Sequence, residues 1–151
     1  MAKTRTAGDL MTPNSTFVTP EASLTETAQL MISEDTGIIP VVEDRNTLQL
    51  AGVVTDRDIV VRAVARELDV ATTTVREVMS PDVSTLTADA SIDDCVRLMA
   101  KEQVRRVPIV DGGKLVGIVS QADLARASAE EPQLEDELAE LVEEVSEPAH
   151  P

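Results

Sequence analysis

The chain is 151 residues long and acidic, with a formal net charge of −15, 42% hydrophobic residues and a single aromatic, Phe17. That length suits one domain or two small ones around a modest core, which must be aliphatic and built from Val, Leu, Ile, Ala and Met. The charge balance argues against a nucleic-acid binder, which needs clustered Lys and Arg, and the hydropathy pattern against a membrane span; one cysteine, Cys95, excludes an intrachain disulfide and, with His150 in the tail, a Cys/His metal cluster.

From the start, Met1-Ala2-Lys3-Thr4-Arg5-Thr6 leads into no apolar signal region, so a cytoplasmic location is expected. The segment Asp9-Leu10-Met11-Thr12-Pro13 then returns 68 residues later as Glu77-Val78-Met79-Ser80-Pro81. The same offset carries Thr19 to Thr87, Ala22-Ser23 to Ala90-Ser91, Leu30-Met31 to Leu98-Met99, and Pro40 to Pro108. Such self-similarity marks a duplicated supersecondary unit. Ser23 with Glu26, and Ser91 with Asp94, predict helix starts. Leu24, Thr27, Ala28 and Met31 share one helical face, as do Ile92, Cys95, Val96 and Met99. Cys95 on that stripe reads as a small core residue rather than a reactive thiol.

Strands follow at Ile38-Ile39-Pro40-Val41-Val42 and Val107-Pro108-Ile109-Val110, where the prolines predict an edge or a strand start. The first copy then carries three extra residues within Asp44-Arg45-Asn46-Thr47-Leu48-Gln49, a longer turn than Asp111-Gly112-Gly113-Lys114, and the offset falls to 65. Next come Ala51-Gly52-Val53-Val54-Thr55-Asp56-Arg57-Asp58-Ile59-Val60 and its echo Val116-Gly117-Ile118-Val119-Ser120-Gln121-Ala122-Asp123-Leu124. Each reads as a strand passing through a hydroxyl residue into a helix with Asp three positions on. Free N–H groups and the helix dipole there favour an anionic or polyhydroxyl ligand. The same spacing is also a capping box, in which the two side chains satisfy the helix end and nothing else. The second helix of the first copy carries Ile59, Val60, Ala63 and Val64, a stripe wide enough to cover more than its own sheet.

Residues 129–151 hold nine acidic residues and no basic one, leaving −6 for the rest. Leu134, Leu138, Leu141, Val142 and Val145 form an apolar stripe for a helix after Pro132, marginal alone in water, so this tail either docks or is disordered. No Ser/His/Asp set or other catalytic constellation is present, and the chain is not expected to be an enzyme.

From Gly8 to Ala127 the sequence resembles a tandem pair of CBS domains, a Bateman module. The resemblance rests on the two Met-Thr/Ser-Pro openings, the Pro40 and Pro108 strands, and the Gly-Val-Val-Thr-Asp-Arg-Asp and Gly-Ile-Val-Ser-Gln-Ala-Asp motifs. It implies an α/β fold of two CBS repeats, β-α-β-β-α each, packed with pseudo-two-fold symmetry. On this reading residues 8–68 are repeat 1, 69–75 the linker, 76–128 repeat 2 and 129–151 the acidic tail. The function it implies is an adenosine-nucleotide-binding regulatory or sensor module. The alternative is a structural or partner-binding CBS pair with no physiological nucleotide.

The resemblance further implies that Thr55 and Asp58 hold ribose in one cleft and Ser120 and Asp123 in the other. An ionised carboxylate can accept from two adjacent ribose hydroxyls. Val53, Val104 and Ile118 fall at adenine-wall positions, although all three suit a core equally well. Arg57, Arg105 and Arg106 are the phosphate candidates, against their reading as solvated or acid-paired surface residues. The second copy has Arg105-Arg106-Val107-Pro108 where the first has Gly37-Ile38-Ile39-Pro40, so the halves are not equivalent. No metal and no required cofactor is expected. The candidate ligands are ATP, ADP, AMP or another adenosyl compound, and the expected partners a second copy in a homodimer and a downstream protein.

Overall fold

A computed structural model describes residues 5–129, and the acidic tail with its expected helix lies outside them. The chain divides into two compact units. Among the described residues one comprises 16–83 with 112–115, and the other is built from 84–111 and 116–129 together with 5–15. Fold content is mixed α and β, as the sequence implies.

In the first unit, α2 (Leu24–Ser33) starts at Ser23, whose hydroxyl accepts from the Glu26 N–H at 3.1 Å. Its buried face is Leu24, Thr27 and Met31, while Ala28 is half-buried. The strands β2 (Ile38–Val42) and β3 (Leu50–Thr55) pair antiparallel, with Pro40 opposite Val53. Val18 adds a parallel bridge to Val41. The long turn between the strands is held by Asp44, which accepts from the backbone of Asn46 and Thr47. These bonds, that of Thr47 first, hold its carboxyl below the ordinary range. After β3 the chain turns into α3 (Asp56–Ile59) and then a wider turn over Val60–Val64, in which the Ala65 N–H reaches back to the Val60 carbonyl. Ile59 and Ala63 are buried beneath it, whereas Val60, Val61 and Val64 are 56%, 47% and 54% exposed.

The second unit repeats the plan with longer elements. Here α1 (Ala7–Leu10) and the two-residue β1 (Thr12–Pro13) precede β4 (Leu86–Thr87), α4 (Ile92–Glu102), β5 (Arg106–Asp111), β6 (Lys114–Ser120) and α5 (Gln121–Ser128). The sheet order is β1-β6-β5-β4. Ser91 and Asp94 cap α4 reciprocally, at 3.0 and 3.1 Å, and Gln103 ends it in the left-handed conformation at φ 54°. Pro108 does not sit at an edge or a strand start: it lies third in β5, between β6 and β4. The position is tolerated because β4 reaches only Ile109 and Val110, so no ladder bond is asked of the proline nitrogen on that side.

Each unit is closed by the opening segment of the other copy. In the first unit Val75 donates to Ala22, Thr74 bridges Ser23, and Ser80 bridges Val53. In the second, Ala7 donates to Ala90, Thr6 bridges Ser91, and Thr12 pairs with Ile118. These are the same contacts displaced by the repeat. Val75 and Val78 therefore sit in the first unit's core with Leu24, Ile39, Val41 and Val54, and Ala7 in the second's with Cys95, Met99, Ile109, Val119 and Leu124. Each fully buried aliphatic side chain contributes about 1.5–3 kcal/mol relative to exposure. Residues 69–75, expected as the linker, connect the copies while taking part in the first unit: the Val70 and Thr73 carbonyls accept from Thr25 and Leu24.

Candidate functional site

In the first unit the motif lies where β3 becomes α3. Thr55 is extended, and its hydroxyl accepts from the Asp58 N–H at 3.0 Å while Asp58 Oδ2 accepts from the Thr55 N–H at 3.0 Å. The capping role is thus real. It occupies one lone pair of one oxygen, and an ionised carboxylate has about four. The remaining capacity of Asp58 meets the Ser80 hydroxyl, at 3.3 and 3.4 Å from its two oxygens. Those are long, weak bonds to a neutral group. Asp58 and Ser80 are both half-buried, so the carboxylate keeps a path to solvent. Nothing in the motif itself points to Ser80; its signal is the repeated Met-Ser-Pro opening, which the exchange of segments carries to β3.

The second unit builds the same cap and finishes it differently. The Ser120 hydroxyl accepts from the Asp123 N–H at 3.2 Å, and Asp123 Oδ2 accepts from the Ser120 N–H at 2.8 Å. The other carboxylate oxygen is in an ion pair with Arg126, three residues on in α5. The Asp123 side chain is 4% exposed and that of Arg126 71%. Thr12, the counterpart of Ser80, is exposed and pairs through its backbone with Ile118.

The apolar candidates divide by strand face. Val54 and Val119 point into their units' cores. Val53 and Ile118 stand one residue earlier, on the opposite face, which they share with Thr55 and Ser120 by the two-residue strand period. Neither belongs to the core clusters, although Val53 is only 6% exposed. Val104 is half-buried and packs against the second unit's core. Arg57 and Arg105 are exposed and Arg106 is half-buried. Among the described residues none of the three is tied to another side chain by a hydrogen bond or ion pair. The Arg105 carbonyl accepts from the Gln121 N–H at 2.8 Å, which sets it beside the start of α5. Its counterpart Gly37 does the same for Asp56 at 2.9 Å. A Cβ on Gly37 would meet the Asp56 carboxylate at 2.9 Å, so the first copy carries a negative charge where the second carries a positive one.

The chemistry available is hydrogen bonding and charge. Among the described residues no group of three or more His, Cys, Asp and Glu is placed to hold a metal ion, and no helix is long and apolar enough to cross a membrane. Burial, with the Asp94 carboxylate alongside, pushes the Cys95 thiol up to about 11, away from the nucleophilic range.

Comparison with known proteins places both repeats. The CBS domain family matches residues 7–64 and 75–130. Hypoxic response protein 1 of Mycobacterium tuberculosis is 40% identical over 121 residues, covering 80% of this chain and 83% of that protein. The crystal structure of Hypoxic Response Protein I, with two coordinated zinc ions, superposes with a TM-score of 0.71 over 81% of this chain and 98% of that one. CBSX2 in complex with AMP is 28% identical, with a TM-score of 0.71 over 83% of this chain and 97% of that one. The CBS domain pair of MJ0100, in complex with 5′-methylthioadenosine and S-adenosyl-L-methionine, is 26% identical, with a TM-score of 0.71 over 85% and 98%.

Proposed function

The chain belongs to the CBS-domain family as a tandem pair, and on that premise we propose that it is a non-catalytic sensor of an adenosine nucleotide or related adenosyl compound. ATP, ADP and AMP are the candidate nucleotides. The observation that carries the proposal is the state of Asp58. Its carboxylate is fixed by the Thr55 cap, reaches solvent, and is otherwise met only by the long bonds from Ser80. Adjacent ribose hydroxyls are suitable donors for such a group, and Val53 on the same strand face supplies an apolar surface for the base. The adenosyl ligands held by CBSX2 and the MJ0100 pair support the ligand class. Arg57, Arg105 and Arg106, unpaired among the described residues, are the groups proposed to meet phosphate.

The test is calorimetry with AMP on the full chain. Asp58→Ala should weaken binding about ten- to a hundredfold, the effect of losing hydrogen bonds worth about 1.5–3 kcal/mol. Unchanged affinity in the double variant Asp58→Ala with Asp123→Ala would overturn the ribose assignment. Freshly purified protein offers a second check. The chain has no Trp or Tyr, so a copurifying adenine compound would dominate its ultraviolet spectrum.

The exposed valines favour an accompanying protein-binding role. Val60, Val61 and Val64, with Leu68 at 39%, make an apolar face on one side of the first unit. We propose that a second copy covers it in a homodimer, closed two-fold association being the commonest oligomer. A downstream protein would read the dimer's ligand state.

A further inference from the structure

The two motif carboxylates complete the same helix cap, yet a different group has reached the rest of each. At Asp58 it is the Ser80 hydroxyl, neutral and at 3.3–3.4 Å. At Asp123 it is the Arg126 guanidinium, in an ion pair with a side chain that is 4% exposed. The repeat offset sets Val61 in the place of Arg126, and the basic residue beside it, Arg62, donates instead to the Val78 and Met79 carbonyls at 3.2 and 3.3 Å. The difference bears directly on ribose. A ribose presents two neighbouring hydroxyls to one carboxylate, and both must donate. At Asp58 they need displace only weak bonds to a hydroxyl, which rotates at little cost. At Asp123 they must compete with a cation for an oxygen that is already charge-paired and shielded from water.

We infer that Arg126 is a built-in occupant of the second motif. It closes Ser120–Asp123 to adenosyl ligands, so that the chain takes one nucleotide, held at Thr55–Asp58. This rests on the adenosyl reading above and adds which motif is used and what shuts the other. Arg126 itself is 71% exposed, so it can be replaced without unfolding the helix.

The experiment is calorimetry with AMP on the full chain, comparing wild type with Arg126→Ala and Arg126→Gln. Wild type should bind one AMP per chain. Both variants should bind two, the second at Ser120–Asp123. Asp58→Ala should weaken the wild-type site about ten- to a hundredfold, and adding Arg126→Ala to it should open a separate site that does not depend on Asp58. Two comparable sites in wild type would overturn the inference. So would a stoichiometry that stays at one after Arg126 is replaced, or a wild-type site lost with Asp123→Ala rather than Asp58→Ala. In each of those cases the adenosyl reading survives. Absence of AMP binding to wild type and both Arg126 variants would instead overturn that reading, and the inference with it.

Discussion

Cys95 illustrates how a single side chain reports on folding. It is fully buried on the core face of α4, and burial pushes its thiol up to about 11 from an ordinary value of 9.0. The raised value favours the neutral thiol in the native state. Its contribution to stability is therefore complete below pH 9 and is lost as pH rises from there toward 11, where only the unfolded chain gains by ionising. Urea unfolding across that range should show a steeper loss in wild type than in Cys95→Ala; parallel curves would contradict the burial. At the same scale, the legibility of the site follows from sequence distance. Thr55 with Asp58 and Ser120 with Asp123 are three residues apart, so one helical turn sets them and the sequence shows them. Arg126 lies only three residues beyond Asp123, but spacing alone does not choose between an ion pair and solvent. Ser80 is 22 residues from Asp58 and arrives through a tertiary contact that no local pattern encodes.

Among the elements, the strand glycines set the tightest constraint. A Cβ on Gly52 would collide with the Ser80 carbonyl and approach Met79 and Pro81 at 2.9 Å. One on Gly117 would strike Met11 and stand 2.8 Å from the Thr12 carbonyl. Both glycines are where the borrowed opening segment crosses the sheet. Gly52→Ala should destabilise the fold by about 1–3 kcal/mol by overpacking. Gly112→Ala has open space, and its cost comes from a φ of +59°, roughly 1 kcal/mol. Thermal unfolding of both variants would separate the two causes, and a harmless Gly52→Ala would refute the crossing. Helices α2 and α4 were legible because apolar spacing and a serine cap agree. The wide turn at Val60–Val64 was not, since a helical pattern does not distinguish a five-residue hydrogen bond from a four-residue one. Pro40 stands in a two-stranded sheet and so in an edge strand, as expected, whereas Pro108 misled because whether a strand nitrogen is asked to donate depends on how far its neighbour extends.

At the level of the whole molecule, the repeat made the family and the α/β plan legible, while the partners of each strand are set by tertiary contacts that no local pattern encodes. The proposed homodimer belongs at this level. Val60→Glu with Val64→Glu changes two side chains more than half exposed, so folding should survive while light scattering moves from dimer to monomer mass. A wild-type chain already monomeric at micromolar concentration would refute the dimer. The exchanged opening segments carry a consequence for inheritance. Because Ser80 bridges Val53 and reaches the Asp58 carboxylate, a lesion there is, in phenotype, a lesion of the first copy's carboxylate, although sequence position assigns it to the second. Genotype and site are crossed. Neither copy can be deleted, transplanted or left to drift by itself without stripping its twin of the segment that closes it, so selection acts on the pair as one heritable unit.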